Sequence, residues 1–217
     1  MPRNLPNWIT ITRVLLAVIL FVILGSIDAL RHQVAAGTLA AIDEQGRERL
    51  LLNVCVVIFG LAAFSDWLDG QIARRWELQT DFGRIVDPFA DKVTVCGTFV
   101  MLVPLSGSQV AAWMVVVILA RELLVDGLRG FAESRGVKFP SMYIGKVKMF
   151  LQSICLGWIL LTMANFQHLP WATWLAFVLI YGTIALTFFS GLSYVFHARR
   201  VLSADTIARP AEPGGAS

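Results

Sequence analysis

The chain has 217 residues, 57% of them hydrophobic and only 15% charged, with a formal net charge of +3. A soluble domain carries roughly a quarter charged residues, so this composition excludes an ordinary water-solvated fold. Lipid is the expected solvent, and one compact bundle fits the length better than two domains.

A helix needs about 20 apolar residues to cross a bilayer. Such runs occur in order at about 6–27, 50–74, 85–105, 109–134, 143–164 and 171–198, which predicts an all-α integral membrane protein with six transmembrane helices. The first run is long, follows almost no basic leader and contains Arg13, so it reads as a span and not as a removed signal. Residues 28–49 read as a longer polar connection whose Asp43, Glu44 and Glu48 form a solvated face. Pro104 with Ser106-Gly107-Ser108, and the stretch from Asn165 to Pro170, read as short turns. The transmembrane domain is expected over 1–202, followed by a polar, disordered tail over 203–217 rich in proline and glycine.

Lys and Arg accumulate on the cytoplasmic side of membrane proteins. Six spans put both termini on one side, and placing that side in the cytoplasm sorts fifteen basic residues inside and leaves Arg31, Arg47 and Arg49 outside. A multi-pass protein of the inner, cytoplasmic membrane is therefore expected, with its site at the cytoplasmic face. Topology accounts for the basic balance without a nucleic-acid partner. Cys55, Cys96 and Cys155 lie far apart in apolar runs and read as small core residues. His32, His168 and His197 have no metal spacing, and Trp158, Trp171 and Trp174 fit interfacial anchoring.

The chemical information is concentrated in residues 64–93, where the second helix ends and the third begins. Asp66, Asp69, Gly70, Ala73 and Arg74 share one helical face, and Gly83, Asp87 and Asp91 recur every four residues on the next helix. Facing each other, the two stripes would gather four carboxylates near the membrane surface. Ionised carboxylates at that depth cost several kcal/mol or more each and repel one another, so a cation must share the site. Oxygen donors in this number suit Mg²⁺ or Mn²⁺. The small residues leave room for a ligand and Arg74 offers a planar fork to phosphate, so the parts together fit phosphoryl transfer. A solvated rim of helix caps and ion pairs would account for any one aspartate, but not for the shared stripe with glycines.

The pattern DxxDGxxAR, eight residues, GxxxDxxxD is complete at Asp66, Asp69, Gly70, Ala73, Arg74, Gly83, Asp87 and Asp91. In this the chain resembles the CDP-alcohol phosphatidyltransferases. The resemblance implies a six-helix homodimer that attacks the β-phosphate of a CDP-linked lipid with an alcohol and releases CMP. It implies Asp66, Asp69 and Asp87 as metal ligands for two ions, Asp91 as both ligand and general base, and Gly70, Ala73, Arg74, Thr80 and Gly83 around the CDP moiety. Asn7 and Thr10, in Pro6-Asn7-Trp8-Ile9-Thr10, resemble the segment that closes over the nucleotide.

Asp87-Pro88-Phe89-Ala90-Asp91-Lys92, Ala120-Arg121-Glu122 and Gly145-Lys146-Val147-Lys148 look like the bacterial phosphatidylglycerophosphate synthases, which implies CDP-diacylglycerol and glycerol 3-phosphate as substrates. An acceptor with its own phosphate needs a second cationic pocket, for which Arg121, Arg129, Lys146 and Lys148 are the candidates. Glu122, Asp126 and Arg129 fall on one stripe, so Arg129 could be held by its own helix, and Lys146 and Lys148 point to different faces. The rival acceptors are inositol phosphate and phosphatidylglycerol. A membrane prenyltransferase would need a second separated aspartate motif, and a cation or proton transporter would spread its carboxylates along a path.

Overall fold

The computed structural model describes the backbone at residues 5–36, 41–76, 81–135 and 143–208, and side chains at 11–36, 45–65, 89–135, 144–145 and 147–199. Six α-helices follow one another: α1 (Leu5–Ala35), α2 (Ala41–Trp76), α3 (Asp81–Leu102), α4 (Ala112–Ser134), α5 (Tyr143–Leu161) and α6 (Pro170–Ala208). A π-helical turn, Thr162–Phe166, continues α5. Among the described residues there is no strand.

Helices break where the chain chemistry requires it. Between α3 and α4, Gly107 has φ +90°, and a Cβ there would lie 2.3 Å from Gln167 Nε2, so only glycine fits. Gln109 is also left-handed, at φ 61°, and its side-chain amide donates to the Thr173 carbonyl at 3.0 Å, tying the turn to the start of α6. Ser108 Oγ donates to the Leu102 carbonyl at 2.8 Å, a second bond to the acceptor that also takes the Leu105 N–H at the end of α3. Pro170 opens α6, where a missing N–H costs nothing.

Two expected boundaries move. Residues 28–49 are not an extended polar connection, because α1 continues to Ala35 and α2 already starts at Ala41. Their polar side chains pair across the helices, Arg31 with Glu48, and so add to the bundle where a lone charged run would have been left to solvent. At the other end α6 runs past Ser203 to Ala208, later than the expected start of the tail, and residues 209–217 lie outside the described residues.

α1 packs against both α2 and α3, α5 against α2 and α6, and α4 against α6. On α1, Ala17, Leu20, Leu24 and Ile27 form one buried stripe, and Arg13 lies buried at its start. Where α1 crosses α3, a Cβ on Gly97 would lie 2.2 Å from Phe21 Cζ, so the small residue allows the close approach of the two helices. The main core joins Leu52, Cys55 and Phe59 of α2 with Phe99 of α3 and Leu156 and Ile159 of α5. All three cysteines are free and buried, as small core residues should be.

Among the described residues, four helical stretches are long and apolar enough to cross a membrane: Ile11–Ala35, Gln45–Ser65, Val147–Phe166 and Pro170–Arg199. They expose large apolar side chains outward, among them Val22, Val57, Leu61, Phe150, Phe188 and Phe189. Water would not tolerate so much apolar surface, and lipid would. The fourth expected span does not qualify on composition, since α4 carries Arg121, Glu122, Asp126 and Arg129.

Candidate active site

Contacts at one end of the bundle fix where the signature lies. Arg31, near the end of α1, donates to Glu48 near the start of α2 and to the Ser106 carbonyl just past α3, the latter at 2.8 Å. The start of α1, the end of α2 and the start of α3 therefore share the opposite end. That end holds Asn7 and Thr10 on α1, Asp66, Asp69, Gly70, Ala73 and Arg74 on α2, and Gly83, Asp87 and Asp91 on α3. Pro88, between the last two aspartates, has no N–H to give the Arg84 carbonyl, so α3 lacks one hydrogen bond beside them. Thr80 lies outside the described residues, as do the side chains of the other signature positions and Asn7 and Thr10; Asp91 is described and is half-buried.

Next to Asp91 begins a network of charged groups from α3, α4 and α5, joined by polar and aromatic side chains of α6. Lys92 of α3 pairs with Asp126 of α4. Lys148 of α5 donates to Glu122 of α4, and Arg121 Nη1 reaches the same carboxylate at 3.3 Å. Arg121 Nη2 donates to Ser190 Oγ of α6 at 2.6 Å, and its guanidinium lies 5.4 Å from the centroid of the Tyr194 ring. Asp91 and Lys92 are within Coulombic reach of Lys148, so this network borders the signature.

The inner three of these groups are withdrawn from solvent: Lys148 is 1% exposed, Glu122 7% and Arg121 8%. A buried charge is tolerated only when paired and hydrogen-bonded. Glu122 is shared between two cations, Arg121 and Lys148, and Asp126 is taken by Lys92. The Nε atoms of Arg121 and Arg129 are buried without a hydrogen-bond partner among the described residues. Such a surplus of oriented donors is chemically suited to an anion.

Residues 3–189 match the sequence profile of the CDP-alcohol phosphatidyltransferases. The chain belongs to the CDP-alcohol phosphatidyltransferase family. A CDP-diacylglycerol–glycerol-3-phosphate 3-phosphatidyltransferase of Bacillus subtilis is 32% identical over 184 residues, covering 83% of this chain and 90% of that protein. One of Rickettsia felis is 30% identical over 192 residues, 88% of this chain and 93% of that protein. One of Salmonella typhimurium is 33% identical over 148 residues, 67% of this chain and 79% of that protein. This member of the phosphatidyltransferase family is thus a transferase of phospholipid biosynthesis and a membrane protein.

Of the candidate acceptor residues, Arg121 and Lys148 meet at Glu122, while the side chain of Lys146 lies outside the described residues. Arg129 is not held by its helix neighbours as the stripe on α4 implied. Glu122 and Asp126 instead pair with Lys148 of α5 and Lys92 of α3. Ser190 and Tyr194 had no sequence signal of their own. Only the hydroxyl and ring at a spacing of four on α6, opposite an arginine whose helix packs there, marks them.

Proposed function

We propose that this transferase moves a phosphatidyl group from CDP-diacylglycerol to glycerol 3-phosphate, giving phosphatidylglycerophosphate and CMP. The observation that supports an acceptor with its own phosphate is the buried pair of cations Arg121 and Lys148, which share one carboxylate, together with the Nε atoms of Arg121 and Arg129, buried without a hydrogen-bond partner among the described residues. An acceptor bearing its own phosphate would bring these donors an anion that a neutral alcohol lacks; glycerol 3-phosphate, inositol phosphate and phosphatidylglycerol all do so, and the choice among them rests on the relatives. Relatives named for glycerol 3-phosphate support the same reading.

In the proposed reaction the acceptor hydroxyl oxygen forms a bond to the β-phosphorus of the CDP-lipid. The bond from that phosphorus to the bridging oxygen breaks, CMP leaves, and Asp91 takes the hydroxyl proton as general base. Arg74 binds the diphosphate through its planar fork, with Gly70, Ala73, Thr80 and Gly83 giving the CDP moiety room and Asn7 and Thr10 closing over it. Arg121, Arg129 and Lys148, with Lys146 as a further candidate, hold the acceptor's phosphate.

An all-carboxylate donor set on adjoining helix ends fits hard divalent cations, so Asp66, Asp69, Asp87 and Asp91 would hold Mg²⁺ or Mn²⁺, two ions per site. When bound, such ions neutralise charge on the attacked phosphate. The enzyme is read as a homodimer in the inner membrane with six spans, both termini and the active site on the cytoplasmic side, in keeping with the asymmetry of its basic residues.

The test is purified protein in detergent with labelled CDP-diacylglycerol, offered glycerol 3-phosphate, inositol phosphate or phosphatidylglycerol in turn. CMP release should be fastest with glycerol 3-phosphate. Equal or faster release with either rival would refute the proposed acceptor.

A further inference from the structure

Arg121 is held by more than its acidic neighbour. Ser190 Oγ accepts from Nη2 at 2.6 Å, and the Tyr194 ring lies under the guanidinium at 5.4 Å. Between these two residues, the position of Gly191 brings the backbone of α6 against the arginine stem. A Cβ on Gly191 would sit 3.1 Å from Arg121 Cγ and 3.8 Å from its Cβ, tighter than ordinary packing. From α5, a Cβ on Gly145 would lie 3.4 Å from the Tyr194 hydroxyl and 3.9 Å from Arg121 Nη2. The arginine thus lies in a slot of α6 lined by Ser190, Gly191 and, one turn on, Tyr194, with α5 closing the far side.

We propose that Ser190, Gly191 and Tyr194 are positioning residues that aim the Arg121 guanidinium at the acceptor's phosphate, so that α6 sets affinity for the acceptor. The proposal rests on the reading of Arg121 as an acceptor-phosphate ligand. A flexible arginine loses rotamer freedom when it binds an anion, and a slot that has already fixed it removes that cost from the binding step. Glu122 alone cannot do this. It contacts Nη1 at 3.3 Å, at the long end for a charge-assisted bond, and is shared with Lys148. The ring face contributes a cation–π contact in a site out of water, where such contacts are strongest. Gly191 contributes absence of bulk, since a methyl group would move the stem by a few tenths of an ångström.

The experiment is steady-state kinetics of the purified full-length protein in detergent, with the KM for glycerol 3-phosphate and for CDP-diacylglycerol measured separately. Tyr194→Leu should raise the glycerol 3-phosphate KM by about tenfold, the effect of one desolvated cation–π contact. Gly191→Ala should raise it several-fold. Both should leave the CDP-diacylglycerol KM within about twofold, and Tyr194→Phe, which keeps the ring, should recover most of the loss. Combining Tyr194→Leu with Arg121→Ala should add little to Arg121→Ala alone, because the residues act through one group.

Two failures are distinguishable. If Arg121→Ala leaves the glycerol 3-phosphate KM unchanged, the acceptor reading of that arginine is wrong, and the cradle proposal falls with it. If Arg121→Ala raises that KM while Tyr194→Leu and Gly191→Ala do not, the acceptor reading stands and the cradle is refuted. A rise in both KM values together, or a fall in kcat alone, would mark α6 as general scaffold and also overturn the proposal. Should Tyr194→Leu not fold, Gly191→Ala and Ser190→Ala carry the same comparison.

Discussion

The two ends of the helix bundle both carry arginine and glutamate, yet they use them differently. At the Arg31 end, Arg31 pairs with Glu48, and Arg49 donates to the Asn165 amide oxygen at 3.1 and 3.2 Å. Asn165 in turn donates to Asn53 at 2.8 Å, and these groups border an open cleft of about 790 Å³. At the Asp91 end, Arg121, Glu122 and Lys148 are sealed between helices. The first arrangement is a wet staple that joins α1, α2 and the π turn after α5. The second keeps charge where desolvation is costly, with one carboxylate shared by two cations. Burial of charge does not favour folding, so among the described residues this sealed cluster marks the Asp91 end as the candidate functional one.

The strongest test of this contrast is the carboxylate assigned as base. Asp91→Asn should lower turnover by roughly two to four orders of magnitude, since proton acceptance is lost. The thermal unfolding midpoint in detergent should change little, because Asp91 is half-buried and neutral asparagine has the same shape. Near-normal turnover would remove the mechanism and with it the meaning of the polarised charge.

Next in size is the shared carboxylate. Glu122→Ala strands Lys148 and leaves Arg121 with Ser190 and the Tyr194 ring, and breaking a buried pair in this way costs about 3–5 kcal/mol. A fall of many degrees in the unfolding midpoint is expected. A variant as stable as the parent would mean that water or headgroups reach the network, contrary to its burial. Arg74→Ala should be milder, raising the CDP-diacylglycerol requirement about tenfold to a hundredfold, as loss of charge-assisted phosphate bonds does. Separate KM measurements check it: a selective rise in the acceptor requirement would assign Arg74 to the wrong substrate.

These tests also show how unequally sequence reveals structure. Six apolar runs become six helices, and four of them are, among the described residues, long and apolar enough to cross a membrane, where backbone hydrogen bonds must close inside each segment. Helix ends were less legible, since Arg31 and Glu48 look like loop residues until it is known that they pair across 17 positions. The signature is readable because its period is local, with aspartates paired at offsets of three and four on one turn. What joins it to the rest is not local. Lys148 finds Glu122 across 26 positions, Lys92 finds Asp126 across 34, and Arg121 finds Ser190 across 69. No periodicity within one helix encodes such pairs, and so the stripe on α4 pointed Arg129 at neighbours that other helices had already engaged. The π turn was likewise illegible, because the extra residue it absorbs is set by the packing of Asn165 against α2.

The smallest effect is expected at the Arg31 end, and it is the most exact measure of the contrast. Glu48→Ala removes the partner of Arg31, but both side chains are about one-fifth exposed and Arg31 keeps its bonds to Ser106 at 2.8 Å. A pair of this kind contributes about 0–1 kcal/mol, screened further by salt. The unfolding midpoint should therefore shift by a degree or two, and turnover with glycerol 3-phosphate should stay at the parental value, because α1 and α2 remain joined through their apolar stripe. If Glu48→Ala instead costs as much as Glu122→Ala, the wet end is as tightly coupled to the fold as the dry one. The difference between the ends would then lie in accessibility alone, and buried charge would no longer single out the site.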